Sequence, residues 1–224
     1  MSNFIDLLQS IQNVKVIDDS IDLENYFPID LSISSNIIRD LDLTNAESFE
    51  VFIENYLIQN KAKVAFGGYN EIRNLYKRST VFKNDISNER NIHIGLDLWI
   101  QAGTIVLAAV DGKVHSFQNN TSLGDYGPTI ILEHEIENAK FYTLNGHLSE
   151  ESLTDLYIGK TFSKGEKLAT LGNFPINGDY APHLHFQIIK NIGNSKGDYP
   201  GVCNSKDLDF YLENCPDPNI LLKI

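Results

Sequence analysis

Six histidines occur in 224 residues, and four of them fall in three short settings where they could do chemistry. The first setting is His93-Ile94-Gly95-Leu96-Asp97, the second is Asn145-Gly146-His147-Leu148-Ser149, and the third is Pro182-His183-Leu184-His185-Phe186-Gln187. On a strand, residues i and i+2 face the same way. His183 and His185 are therefore expected side by side, with Leu184 and Phe186 turned to a core. Two imidazoles so placed can share a small cation, or one can bind it while the other touches a water on it. Neutral imidazole and carboxylate are both good zinc ligands, so His93 and Asp97 can complete the set if their segment lies against that strand. Three protein ligands with one open position is the catalytic zinc pattern, whereas structural sites are closed by four. Water in the open position has its pKa lowered from about 15.7 to about 7, which supplies hydroxide at neutral pH for attack on a carbonyl. The histidines not used as ligands would act on that water and on the developing oxyanion.

Each piece alone says little. His-x-x-x-Asp arises often by chance, and a single His147 is as well explained by a turn in which the ring bonds to backbone. His115 and His134 show no partner pattern and read as structural or surface residues. The combination of the three settings carries the inference.

The elements that must position these residues are mostly strands. Ile105–Ala109, Lys113–Phe117, Thr129–Glu133, Phe141–Leu144, Lys167–Leu171 and His183–Ile189 are short apolar or alternating runs separated by Gly, Asp and Asn, which predicts an antiparallel, mainly β domain. Asp111-Gly112 reads as a hairpin turn. Glu150–Leu156 suits one or two helical turns. Residues 1 to about 60 differ. Phe4, Leu7, Leu8 and Ile11 recur at helical spacing. A second helix is expected to start near Thr44, with Glu47 completing a capping box and Phe49, Phe52, Ile53, Tyr56 and Leu57 as its apolar face. Ile21–Ile38 reads as irregular. This divides the chain into an α-helical N-terminal extension (1–62) and a β domain with a C-terminal tail (63–224).

A net charge of −12 argues against nucleic acid and anionic membrane surfaces as partners. A hydrophobic share of 42% supports a packed core rather than disorder. The N-terminal stretch has no basic start, and Asp6 and Gln9 interrupt its apolar residues, so no signal peptide is expected and the location read from sequence is cytoplasmic. Cys203 and Cys215 then read as free thiols.

The three settings, in this order, resemble the lysostaphin-type (LytM-like) zinc endopeptidases, which cut peptide cross-bridges and stems in bacterial peptidoglycan. The resemblance runs from about Phe66 to Ile189. It extends to Gly103-Thr104-Ile105-Val106 after the first motif, to Ala108–Val114, and to Gly159–Gly172 before the last. It implies a compact antiparallel sheet of the duplicated hybrid motif type, with a groove across one face. It further implies one zinc ion held by His93, Asp97 and His185, with His147 and His183 orienting the water and stabilising the tetrahedral intermediate. The implied substrate is a peptide or a peptidoglycan fragment. Asn145 stands where the family often has an aromatic residue. The segments 67–73 and 197–202 are similar to a subgroup found also in chains with an aminotransferase domain, an analogy for an aminotransferase-linked pathway. Tyr69, Arg73, Tyr126 and Asn145 are candidate substrate-binding residues, while Asn70 and Glu71 read as loop structure. Two other functions stay open: a non-catalytic peptidoglycan-binding regulator, and an intracellular zinc peptidase or amidase acting on peptides unrelated to the wall.

Overall fold

The computed structural model describes residues 4–39, 41, 45–73 and 89–224. In chain order the elements are α1 (Phe4–Ser10), β1 (Tyr26–Pro28), α2 (Ala46–Asn60), β2 (Val64–Gly67), β3 (Glu71–Ile72), β4 (Ile92–His93), β5 (Leu96–Trp99), β6 (Ile105–Leu107), β7 (Gly112–Asn120), β8 (Gly127–Ile136), β9 (Ala139–Gly146), β10 (Thr161–Phe162), β11 (Lys167–Thr170), β12 (His183–Ile189), β13 (Val202–Cys203), α3 (Leu208–Asn214) and α4 (Asn219–Leu222). The fold is mainly β. An eight-stranded sheet runs β1-β2-β5-β12-β9-β8-β7-β10, with small sheets β11-β6 and β13-β4-β3 beside it. All pairings are antiparallel except β1 with β2.

Strand β12 is the element that matters most. It lies between β5 and β9, and every residue of it is buried. Its alternation holds as expected: Leu184, Phe186 and Ile188 enter the largest apolar cluster, so His183, His185 and Gln187 share the opposite face. The register sets His185 opposite Asp97 on one side and opposite Gly146 on the other. Strands β8 and β9 form a hairpin through Glu137 and Asn138, whose φ values of 51° and 65° match the twist such a tight turn needs.

Three expectations change. Asp111-Gly112 is not a hairpin turn, because β6 pairs with β11 while β7 pairs with β8 and β10. The dipeptide carries the chain from one sheet to another, and the Asp111 carboxylate accepts from the Lys164 amide. The expected cap Thr44 lies outside the described residues. Asn45 caps α2, its side chain accepting from the Ser48 amide at 2.8 Å. Finally, Ile21–Ile38 is not wholly irregular, since Tyr26–Pro28 supplies the edge strand of the main sheet.

The N-terminal segment reaches the site through packing. Phe49 of α2 meets Trp99 edge-on at 4.9 Å, and Trp99 stacks on the His183 ring at 3.9 Å. Among the described residues no helix is long and apolar enough to cross a membrane. Cys203 and Cys215 are buried, unpaired thiols.

His134 shows how the sheet handles a polar side chain. Its Nδ1–H donates to Asp111 O at 2.9 Å, and its Nε2 accepts from the Thr143 hydroxyl at 2.8 Å. Burial lowers its pKa to about 4, so the folded state takes up this proton later than the unfolded chain. The stability tied to it is whole above the ordinary imidazole range and is lost as pH falls toward 4. The loss amounts to about 3 kcal/mol. Urea unfolding of the metal-free protein should show His134→Gln losing about that much less stability than wild type across this window. Parallel pH curves would show that His134 titrates alike in both states.

Candidate metal centre

Four elements converge on the site. His93 ends β4, Asp97 lies in β5, His183 and His185 lie in β12, and His147 directly follows β9. All five side chains are buried to 5% exposure or less. His93, Asp97 and His185 bring one ligand atom each to a common point. His93 Nε2 lies 2.9 Å from His185 Nδ1, Asp97 Oδ1 lies 3.1 Å from His185 Nδ1, and Asp97 Oδ1 lies 3.3 Å from His93 Nε2. Atoms about 2.0–2.2 Å from a tetrahedral zinc stand about 3.3–3.5 Å apart, so the triangle is close to that size.

Tautomers decide what these atoms offer. His93 Nδ1–H donates to Gly68 O at 2.9 Å, which leaves a lone pair on Nε2. His185 Nε2–H donates to Gln187 Oε1 at 3.0 Å, which leaves a lone pair on Nδ1. The Gln187 amide is itself oriented, because its Nε2 donates to Pro200 O at 3.1 Å and to Cys215 Sγ at 3.3 Å. Two imidazole lone pairs and a carboxylate oxygen therefore face one another in a buried space. That is repulsive unless a cation lies between them, so the donor set fits a metal ion. The orienting partners are of the kind that fix ligating histidines.

The other two histidines are held the same way. His147 Nδ1–H donates to Asn177 O at 2.7 Å, and His183 Nδ1–H donates to Ala181 O at 2.8 Å. Each keeps a lone pair on Nε2. The two rings lie 4.1 Å apart, and His183 Nε2 is 3.9 Å from Asp97 Oδ1. His147 sits at φ 63°, a left-handed conformation rare for a non-glycine residue. Its amide donates to Tyr126 O, and its carbonyl accepts from Gly172 N. Burial lowers the His93 and His183 pKa values to about 4 and drives His147 well below the usual imidazole value. Burial works to raise the Asp97 carboxyl, but the charges around it, among them the Arg73 guanidinium bonded to Oδ2, outweigh burial and hold it well below the usual carboxylate range.

The site opens into a cleft bordered by Tyr126, Tyr180 and the segment Asp198–Val202. Of the candidate substrate-binding residues, Tyr126 and Arg73 line it. Tyr126 donates its hydroxyl to Tyr199 O at 3.1 Å and comes to 3.5 Å from His185 Nε2. It can lean inward because Gly146 has no side chain; a Cβ there would sit 2.7 Å from the Tyr126 ring. Arg73 is bound to Asp97 and Glu71 rather than left to meet a ligand. Asn145 is not in the cleft: its side chain is buried among the strands and donates to Ile130 O at 3.3 Å. The Tyr69 hydroxyl also leads elsewhere, to Cys215 O at 2.7 Å. Glu71, read as loop structure, is a strand residue that holds Arg73.

Sequence reasoning missed Gln187, Asn177, Tyr180 and the tail segment Asp198–Val202. Gln187 was within reach, since it lies two residues beyond His185 on the same strand face. Nothing in the spacing pointed to the tail. It enters the site because β13 pairs with β4 and lays Gly201 within contact of Tyr126 and His185.

Residues 91–197 match the family model described as Peptidase family M23. The matched segment is just under half of the chain. It contains His93, Asp97, His147, His183 and His185, together with Tyr126 and Asn145, while Tyr69 and Arg73 precede it. An uncharacterized metalloprotease of Haemophilus influenzae is 34% identical over 99 residues, which is 44% of this chain and 19% of that protein. The chain thus spans about a fifth of that relative's length. Two solved structures are also similar. The catalytic domain of the antimicrobial peptidase lysostaphin from Staphylococcus simulans is 24% identical, over 54% of this chain and 80% of that one, with a TM-score of 0.38. A putative peptidase M23 from Pseudomonas aeruginosa is 23% identical, over 57% of this chain and 42% of that one, also with a TM-score of 0.38.

Proposed function

We propose that the protein is a zinc metalloendopeptidase that hydrolyses peptide bonds in peptidoglycan peptides or their fragments. The observation that carries this reading is the convergence of three lone-pair donors, His93 Nε2, Asp97 Oδ1 and His185 Nδ1, beside two further oriented histidines, all within an M23 segment. Two imidazoles and a carboxylate are a ligand set that zinc uses in peptidases. The division into an N-terminal extension (1–62) and a metallopeptidase domain with its tail (63–224) is part of the same reading.

His93, Asp97 and His185 hold the ion. When bound, the ion supplies Lewis-acid polarisation and lowers the pKa of a water to about 7. His147 and His183 each present Nε2 toward the cleft, and burial keeps both rings neutral at neutral pH. A neutral Nε2 accepts the proton of the attacking water and holds it for the leaving amine. A ring that has gained the proton then donates to the oxyanion of the tetrahedral intermediate. The Trp99 ring stacked on His183, and the Nδ1–H bonds to Asn177 O and Ala181 O, limit how far either ring can turn.

The tail favours fragments over intact polymer. Asp198–Val202 lines the cleft, and it is fixed by the bonds Tyr126 to Tyr199 O, Gln187 to Pro200 O and Ile94 N to Gly201 O. A rigid wall against His185 narrows the approach of a cross-linked strand. The test is release of new amino termini from soluble muropeptides and from intact peptidoglycan by zinc-loaded protein, with and without chelator. Cleavage abolished by chelator and restored by zinc is expected, faster on the muropeptides. Absence of cleavage across several wall types would remove peptidoglycan as substrate.

A further inference from the structure

We propose that Arg73, held in turn by Glu71, is a positioning residue that restricts Asp97 to one-oxygen coordination of the metal ion. The proposal rests on the metallopeptidase reading and adds two residues that precede the M23 segment. Arg73 is 1% exposed, and its Nη1 donates to Asp97 Oδ2 at 2.5 Å. Asp97 Oδ1 is the oxygen that faces His93 and His185, at 3.3 and 3.1 Å. The two oxygens of one carboxylate therefore have separate duties. Without the guanidinium, Asp97 could rotate, or engage the ion through both oxygens. Either change alters coordination number and costs ordering on binding.

The clamp is built, not incidental. Arg73 Nε donates to Glu71 Oε2, and Glu71 Oε1 accepts from the Leu31 amide at 2.9 Å. Strand β3 pairs with β4 so that Glu71 lies opposite His93, and the Arg73 amide continues the ladder to Asn91 O at 2.9 Å. Gly68 leaves the room: at φ 103° it has no side chain, and a Cβ would stand 2.0 Å from Arg73 Nη2 and 2.9 Å from His93 Nδ1.

Charge and position predict opposite outcomes. A lone guanidinium beside the ligand carboxylate would repel a divalent cation, but Glu71 offsets it, so the pair adds almost no net charge. In the double variant Arg73→Met with Glu71→Gln the net charge is unchanged while the clamp is gone. Zinc affinity of the full chain, measured by competition with a chromophoric chelator, should fall about 10- to 100-fold. The Co2+ form of the same variant should lose visible absorption, as a higher coordination number weakens the d–d bands. Arg73→Lys keeps the charge and a donor, and should recover part of the affinity; it also serves if the double variant does not fold. Wild-type protein that takes up no zinc would remove the metallopeptidase reading and this one with it. Wild type that binds zinc, with variants that bind as tightly and show an unchanged cobalt spectrum, would overturn the clamp alone.

Discussion

His147→Ala and His183→Ala should each retain zinc and lose turnover by about 10²- to 10⁴-fold, the range supplied by a positioned acid–base group. In energy this is about 3–5 kcal/mol of transition-state stabilisation per side chain. The reason is geometric. Both rings fix Nδ1–H on a carbonyl, at Asn177 and Ala181, and so present Nε2 to the cleft. Neither is among the atoms of the His93–Asp97–His185 triangle. The two rings lie 4.1 Å apart, so the double variant should lose much less than the sum of the single losses. Zinc content is measured beside turnover on a muropeptide. Loss of metal in these variants equal to that in a ligand variant would show that the division between ligands and acid–base residues is wrong.

His185→Ala should lose zinc itself, by more than the 10- to 100-fold that removal of a supporting residue costs. His185 is the hub of the triangle. Its Nδ1 is 2.9 Å from His93 Nε2 and 3.1 Å from Asp97 Oδ1, and its other nitrogen is tied to Gln187. Truncation removes one donor and unseats the partner of Gln187 in the same stroke. Metal analysis after dialysis against a weak chelator should find wild type loaded and His185→Ala empty. Gln187→Leu should fall between them, because the imidazole remains but its tautomer is no longer imposed. A fully loaded His185→Ala protein would place the ion elsewhere.

Much of this was legible before any fold was known. His183 and His185 on one strand face follow from a period of two, and that alternation also predicted which neighbours enter the core. The β runs announced themselves through β-branched and apolar residues between turn formers. Spacing alone could not decide which of His183 and His185 would hold a metal; the family resemblance pointed to His185. The structure brings His185 Nδ1 into the triangle with His93 and Asp97 and leaves His183 stacked on Trp99, 3.9 Å from Asp97 Oδ1. Asn145 and Tyr69 read as groove residues because composition cannot say which way a side chain points. Asn145 turned into the sheet, and Tyr69 was drawn to Cys215 O.

The sequence by itself determined the residue types, the strand that carries two histidines and the mainly β class, because these depend on local periodicity and chemistry. Tertiary structure alone decided the register that sets His185 opposite Asp97 and the tail that walls the cleft. It also decided the Glu71–Arg73 clamp behind the aspartate. Those depend on pairings between segments far apart in the chain, and nothing within a single segment encodes where its partner will lie.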